Sequence, residues 1–259
     1  MKYTMYGNKQ SDTTIIAIPA LGERAEFYYP LANGCNDVKW IVCDLPGHNG
    51  YDTKDISIDS YIKNVKHVVN SLEITKVHLV GASIGATIIQ AFYQKYPQAV
   101  QSLFLLDGGY YFLGELQQDS ETMSSQKIEN FEELKAAVHE FTCSIEGLQP
   151  QNYEQFEQYF LGNYIRENHY YRHHCDVNAF NHLSKEVDTV NYCLTQPVNV
   201  PLHLLLAETN LNEFTKQKAQ QFQAAQPLAK IVTIPNGHHY LPLTHTEEII
   251  GYFRKNFEM

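Results

Sequence analysis

The segment Val77-His78-Leu79-Val80-Gly81-Ala82-Ser83-Ile84-Gly85-Ala86 decides the fold, because an apolar run ends there in Gly-x-Ser-x-Gly and a helical pattern follows at once. This order predicts a strand that turns sharply into a helix, with Ser83 strained and exposed at the turn. Backbone must pass close to backbone in such a turn, so side chains at positions 81 and 85 would collide. The pentapeptide alone is common by chance, and the flanking strand and helix make it the pattern of a nucleophile elbow.

Strands and helices alternate on both sides of this segment. Apolar and β-branched runs predict strands at residues 13–18, 38–43, 77–80, 100–106, 200–207 and 230–234. Helical spacing predicts helices from Ile58, with Ser57 as N-cap, after the elbow, at about 213–225, and near the C-terminus, where Thr244 and Glu247 have capping-box spacing. Strands that are apolar throughout are typical of a parallel sheet buried on both faces. We therefore expect an α/β fold with a mostly parallel, doubly wound sheet.

The amino-acid pattern changes between about residues 110 and 196, where no strand-like runs occur and Tyr, Phe and His become frequent at loosely helical spacings. We interpret this region as a helical insertion between two strands. The expected organisation is a core of residues 1–109 and 197–259 with an insertion of residues 110–196. Within it, residues 169–174 include three histidines, but their spacing does not suit a metal site, and a mixed, solvent-facing or lid-lining segment is the better interpretation.

Composition excludes several classes of function. Among 259 residues, 44% are hydrophobic and 19% are charged, as in an ordinary globular protein, and the net charge is -10. No basic stripe is present for nucleic acid, so a small neutral or cationic molecule is the expected partner. The polar N-terminus, the lack of a long apolar run and five scattered cysteines predict a cytoplasmic protein with reduced thiols and no membrane insertion. The oligomeric state is left open.

The order of these parts resembles the α/β-hydrolase fold superfamily over nearly the whole chain outside the insertion. The matching features are the strand-loop Pro19–Gly22, the turn Asp44–His48, the elbow Gly81–Gly85, and Gly237-His238 after the last strand. Pro19-Ala20 stands where relatives usually carry His-Gly, and Asn49-Gly50-Tyr51 alters the segment after the His48 turn. The resemblance implies that the aromatic insertion is a cap over an active site; which of its aromatic residues line the pocket is left open.

A serine needs a base to take its proton, and the resemblance places that base after the final strand. His238 is preferred to its neighbour His239 because Gly237-His238 matches the Gly-His of the family. For the acid, relatives usually use the loop after the strand at 200–207, where this chain has Asn210, which could orient the imidazole but not neutralise it. Some relatives place the acid one strand earlier, at Asp107. Asp107 is the leading candidate, and Glu208 and Glu213 are the alternatives.

The resemblance also implies an oxyanion hole formed by the backbone N–H groups of Leu21 and Ile84. Asp44 and His48 are expected to be structural, closing a turn through side-chain to backbone hydrogen bonds. No phosphate-binding glycine loop, dinucleotide fingerprint or metal-ligand pattern is present in the sequence, so no cofactor and no metal are expected.

These features predict a cofactor-independent, carboxylesterase-like serine hydrolase that cleaves a small, partly apolar ester or related acyl compound through an acyl-enzyme on Ser83. Two alternatives stay open. The same residues could serve a lyase or a hydrolase of carbon–carbon bonds, or the protein could be a hydrolase-like ligand receptor with little or no turnover. The sequence does not specify the substrate, since specificity in such a fold lies in the loops and the insertion.

Overall fold

The computed structural model describes residues 1–145 and 148–257, and its centre is a seven-stranded sheet. The strands are β1 (Tyr3–Gly7), β2 (Thr14–Ile18), β3 (Lys39–Cys43), β4 (Val77–Ala82), β5 (Val100–Leu106), β8 (Leu202–Ala207) and β9 (Lys230–Ile234). Their spatial order is β1-β3-β2-β4-β5-β8-β9, and every pair is parallel except β1 with β3. The mostly parallel sheet predicted from the sequence is confirmed.

Helices cover both faces of the sheet, which is why every residue of β2 and β4 is buried. One face packs against α2 (Ile58–Ser71), α3 (Ile84–Lys95) and α7 (Glu213–Ala225). The opposite face packs against α1 (Tyr29–Gly34), the short α8 (Leu241–Thr244) and α9 (Thr246–Asn256). The sheet is therefore doubly wound, with a hydrophobic core on each side.

The segment between β5 and β8 has helices, as predicted, and also a hairpin that the sequence did not predict. Its helices are α4 (Phe131–Ser144), α5 (Tyr153–Leu161) and α6 (Val177–Thr189), and the hairpin consists of β6 (Tyr164–Glu167) and β7 (Tyr170–His173). Asn168, with φ of 56°, supplies the left-handed residue of the hairpin turn. Asn163, just before the hairpin, is buried and bonds to the core of the molecule. We call this segment the insertion.

The two ends of the chain differ from the prediction in detail. The polar N-terminus forms the edge strand β1, which is only half-buried and so carries little hydrophobic signal. The capping box expected at Thr244 and Glu247 is wrong: α9 begins at Thr246 with no side-chain cap, and the Thr244 hydroxyl donates to the Tyr240 carbonyl at 3.1 Å. The N-cap at Ser57 is confirmed, because its Oγ accepts from the Ser60 N–H.

Among the described residues, no helix combines the length and the apolar character needed to cross a bilayer.

Candidate active site

Ser83 lies between β4 and α3 with φ of 52° and ψ of -119°, a strained conformation for a residue with a side chain. The two flanking glycines make this turn possible. A Cβ on Gly81 would lie 2.3 Å from the Gly85 carbonyl oxygen, and a Cβ on Gly85 would lie 2.2 Å from the Ile18 carbonyl oxygen. The Ser83 N–H donates to the Leu106 carbonyl at 3.0 Å, which fixes the turn against the end of β5.

Asp107 follows β5, the neighbour of β4, and its carboxylate is almost completely buried. Oδ1 accepts from the Ala207 N–H at 2.9 Å, and Oδ2 accepts from Asn210 Nδ2 at 2.5 Å and from His239 Nδ1 at 2.7 Å. Three donors thus stabilise the carboxylate and fix its orientation. The carboxyl ends of parallel strands share one edge of the sheet, which brings Asp107 to the same edge as Ser83.

The histidine that contacts Asp107 is His239, and the expectation that it would be His238 is wrong. The His238 ring stacks on Tyr240, and its Nδ1 accepts from the Tyr240 N–H at 3.5 Å. The two imidazoles contact different groups: His239 bonds to Asp107, and the ring of His238 lies against Tyr240. The Gly-His pattern predicts the loop, but the ring that bonds to Asp107 belongs to the next residue.

Ser83, Asp107 and His239 line one cavity of about 480 Å³, whose walls include Tyr110, Tyr111 and Phe214. The other candidate acids lie elsewhere. Glu208 Oε2 accepts from the Asn236 N–H at 2.8 Å, and Glu213 is exposed in the first turn of α7. Asn210, in the loop after β8, donates to Asp107.

Ile84 and Leu21, the two expected oxyanion donors, lie on the elements that meet at the elbow. Ile84 is the first residue of α3, so no helical carbonyl accepts its N–H. Leu21 lies in the loop after β2, and this loop passes over Gly85, whose added Cβ would contact the carbonyl oxygens of Ile18 and Pro19.

Asp44 and His48 have the structural role predicted for them. Their hydrogen bonds join their own turn to the loop after β2 and so hold that loop in place. Asp44 Oδ1 accepts from the Ala25 N–H at 2.9 Å. His48 donates from Nδ1 to the Pro46 carbonyl and accepts at Nε2 from the Gly22 N–H at 2.9 Å. Burial lowers the pKa of His48 to about 4, which keeps the imidazole neutral and able to accept.

Glu23 is a buried carboxyl that the sequence analysis did not identify. It belongs to the same loop as Leu21, and its Oε2 accepts from the Tyr159 hydroxyl and from Asn163 Nδ2, both in the insertion. Burial raises its pKa to about 7, partly offset by those two hydrogen bonds. Nothing in the local sequence distinguishes this glutamate from an exposed loop residue.

Within the described ranges, 1–145 and 148–257, no group of three or more His, Cys, Asp and Glu side chains is arranged to hold a metal ion.

Known proteins share both the sequence pattern and the architecture. Human "Monoacylglycerol lipase ABHD6" is 38% identical over 72 residues, which are 26% of this chain and 21% of that protein. This chain therefore spans about a fifth of the length of such curated relatives. The crystal structure of E-2-(acetamidomethylene)succinate hydrolase superposes with a TM-score of 0.80 at 15% identity, covering 99% of this chain and 94% of that one. A marine microorganism esterase superposes with a TM-score of 0.71 at 18% identity, covering 98% of both chains.

The two structural similarities have low sequence identity and show the fold alone. The family model described as "alpha/beta hydrolase fold" matches residues 13–246, which include all the strands except β1 and also the elbow, Asp107 and His239. The chain therefore belongs to the alpha/beta hydrolase fold family.

Proposed function

We propose that the protein is a cofactor-independent serine hydrolase that cleaves a small, partly apolar ester or related acyl compound. The observation that carries this proposal is the hydrogen bond from His239 to the buried Asp107, at a cavity that Ser83 also lines. A serine, an imidazole and a buried carboxylate at one sheet edge are the groups that nucleophilic acyl transfer needs.

In the proposed reaction, Ser83 Oγ attacks the carbonyl carbon while His239 Nε2 takes the hydroxyl proton. Asp107 accepts the Nδ1–H, which fixes the tautomer and stabilises the imidazolium. The carbonyl electron pair moves onto oxygen, where the N–H groups of Ile84 and Leu21 would stabilise it. Collapse of this intermediate breaks the bond to the leaving group, which receives the proton from His239. Water, activated by His239, then hydrolyses the acyl-enzyme and restores Ser83.

The walls of the cavity support a substrate of mixed polarity. Tyr110, Tyr111, Leu113 and Phe214 provide apolar surface, and Thr87, Asn212 and Thr215 provide polar groups on the same cavity. We further propose that residues 110–196 act as a cap, because insertion residues such as Leu113 and Leu116 line the cavity together with Ser83. The human relative is named as a monoacylglycerol lipase, and because the match covers about a fifth of it, it supports ester chemistry rather than that substrate.

Labelling with a fluorophosphonate tests the proposal, with the adduct located by mass spectrometry and hydrolysis of p-nitrophenyl butyrate followed in parallel. We expect an adduct on Ser83 and loss of both labelling and turnover in Ser83→Ala. Ser71→Ala is the matched control, since Ser71 is an exposed serine at the end of α2. An unmodified Ser83, or turnover that survives in Ser83→Ala, would show that acyl-enzyme chemistry at this residue is not the function.

A further inference from the structure

A second cavity, of about 400 Å³, lies beside the proposed catalytic residues. Leu21, one of the proposed oxyanion donors, lines it, and so does Tyr240, the residue after His239. The opposite wall comes from the insertion, including Val138, Phe141 and Phe160. The two cavities share no lining residue, but His239 is near enough to Glu23 to lower its pKa, so the second cavity adjoins the proposed catalytic residues.

Glu23 lines this second cavity, and the hydrogen bonds that its carboxyl accepts from the described residues all end on one of its two oxygens. The residue is 5% exposed, so nearly all of it is removed from bulk water. Both protein hydrogen bonds end on Oε2, from Tyr159 and Asn163, and among the described residues none is made to Oε1. Oε1 is not completely buried, so it keeps contact with the open cavity and can accept a hydrogen bond from a ligand there.

No cation among the described lining residues neutralises Glu23. Arg24, its neighbour in sequence, does not line the cavity; it bonds to Asn163 Oδ1 at 2.8 Å and pairs with Glu26 at 2.8 Å. His173 lines the cavity, but burial lowers its pKa to about 4, so it is neutral at pH 7. Glu121 adds a second carboxylate to the lining. The described lining of the cavity thus has two carboxylates and no charged cation, although the charge of Arg24 behind it also acts on Glu23.

Aromatic rings form much of the remaining wall. These are Phe141, Phe160, Tyr164, Phe180 and Tyr240. Aromatic faces attract ammonium groups through their quadrupole, and they also bury the methylene groups that carry such a cation. A carboxylate inside an aromatic compartment is thus a recognition site for an alkylammonium rather than for a plain alkyl chain.

We propose that Glu23 and these aromatic walls bind an ammonium group of the substrate, so that the preferred esters are those of amine-bearing acids or alcohols. This inference rests on the proposed hydrolase function and names the substrate class of the same site. In this arrangement the alkylammonium of the substrate lies against Glu23 Oε1, and a primary ammonium donates a hydrogen bond to that oxygen. The ester carbonyl of the same substrate lies at Ser83.

Two pairs of esters test this substrate class. In the first pair, the p-nitrophenyl esters of 6-aminohexanoate and heptanoate, the acyl chain ends in an ammonium group or in a methyl group. In the second pair, 6-aminohexyl acetate and heptyl acetate, the same difference lies at the end of the alcohol chain. For wild type, we expect kcat/KM to favour the amine in one pair, and Glu23→Gln to lower that ratio about tenfold or more. Using the ratio within each variant removes any general loss of folding or activity.

Glu133→Gln is the control for net charge, because Glu133 is an exposed carboxyl on α4 outside the lining of the cavity. It should leave both ratios at their wild-type values. The inference is overturned if Glu23→Gln leaves both ratios unchanged, or if the methyl compound is preferred to the amine in both pairs.

The ratio should also depend on pH, since the pKa of Glu23 is about 7. Raising the pH from 6 to 8 ionises Glu23 and should increase the preference for the amine in wild type, while in Glu23→Gln the ratio should stay flat. The ionisable groups that face Glu23 or share its cavity are Arg24, Tyr159, Tyr164, His173, Cys175, His239, Tyr240 and Glu121. None of them is removed in Glu23→Gln, so a ratio that rises equally in both proteins would contradict the assignment.

Binding experiments on the Ser83→Ala variant test the ammonium site independently of ester hydrolysis. Calorimetry with hexylammonium chloride should show binding to Ser83→Ala that is lost when Glu23→Gln is added, and 1-hexanol should bind Ser83→Ala more weakly than hexylammonium does. If no ester is cleaved but hexylammonium binds in this Glu23-dependent way, the proposed hydrolase function fails and the ammonium site stands. If esters are cleaved but hexylammonium binds equally with and without Glu23, the ammonium site fails and the hydrolase function stands.

Discussion

His239 Nδ1 donates to Asp107 Oδ2 at 2.7 Å, although the two residues are 132 positions apart in the chain. The strand order explains the contact, because β8 alone separates β5 from β9, and Asp107 and His239 follow β5 and β9 at the same edge of the sheet. Donation from Nδ1 leaves Nε2 available to take a proton. The contact is the reason for proposing His239 as the base.

Alanine substitutions of the two adjacent histidines should differ strongly in effect. We expect His239→Ala to lower kcat/KM for p-nitrophenyl butyrate by about 10³-fold or more, because both the base and the partner of Asp107 are lost. His238→Ala should stay within about threefold of wild type, since that ring packs on Tyr240 instead. A larger loss in His238→Ala than in His239→Ala would contradict the assignment.

Asn210→Asp should move the acid limb of the pH–rate profile to higher pH. Asn210 Nδ2 donates to Asp107 Oδ2 at 2.5 Å, so an aspartate there would place two carboxylates in contact. Like charges raise the pKa of the pair, and two carboxylates beside His239 would also hold its proton more tightly. We expect the apparent acidic pKa of kcat/KM to rise by about one unit.

The control for that profile is Asn70→Asp, an equal charge change at an exposed position of α2. Its acid limb should coincide with that of wild type. An unchanged profile in Asn210→Asp would mean that the added carboxylate turns away from Asp107.

Much of the fold could be predicted because its signals are local. The strands at Val100–Leu106 and Lys230–Ile234 and the helix Glu213–Ala225 have the predicted bounds, since apolar runs and caps mark their ends. The strand β1 could not be found, because it is half-buried and its pairing with β3 is a long-range interaction. The hairpin β6–β7 was missed because aromatic residues suit strands and buried helix faces equally well.

The site was predictable where backbone geometry constrains sequence. Gly81 and Gly85 mark Ser83 because no side chain fits at either glycine. The choice between His238 and His239 depends on the path of one loop, which local sequence does not specify. Glu23 could not be predicted at all, because its burial comes from the insertion and not from its own neighbours.

We expect His48 to support stability and activity through the hydrogen bond that its Nε2 accepts from Gly22, and not through a positive charge. His48→Leu leaves the buried Gly22 N–H without its partner, which should cost about 1–3 kcal/mol in the free energy of unfolding. The loop that carries Leu21 would also lose a restraint, so kcat should fall about tenfold. His48→Gln keeps an acceptor within reach of Gly22 and should retain most of both properties. Urea unfolding and steady-state kinetics check this, and equal losses in the two variants would contradict it.

Stability should fall as the pH is lowered from 7 to 5, and His203 should account for a measurable share of the loss. His203 is buried on β8, stacked on Phe104 and bonded through Nδ1 to the Tyr252 hydroxyl at 2.9 Å. Burial lowers its pKa from 6.5 to about 4. Between those two values the unfolded chain binds a proton that the folded protein does not, so stability present above pH 6.5 is lost as the pH falls towards 4.

At pH 5 this loss is about 2 kcal/mol for a shift of that size. His203→Phe keeps an aromatic ring on Phe104 but cannot titrate, so the difference in the free energy of unfolding between pH 7 and pH 5 should shrink by about that amount, whatever the variant's stability at pH 7. His67→Gln, at an exposed position of α2, should leave the difference unchanged. Urea titrations at both pH values measure it, and an equal pH dependence in wild type and His203→Phe would show that His203 takes up its proton in the folded protein.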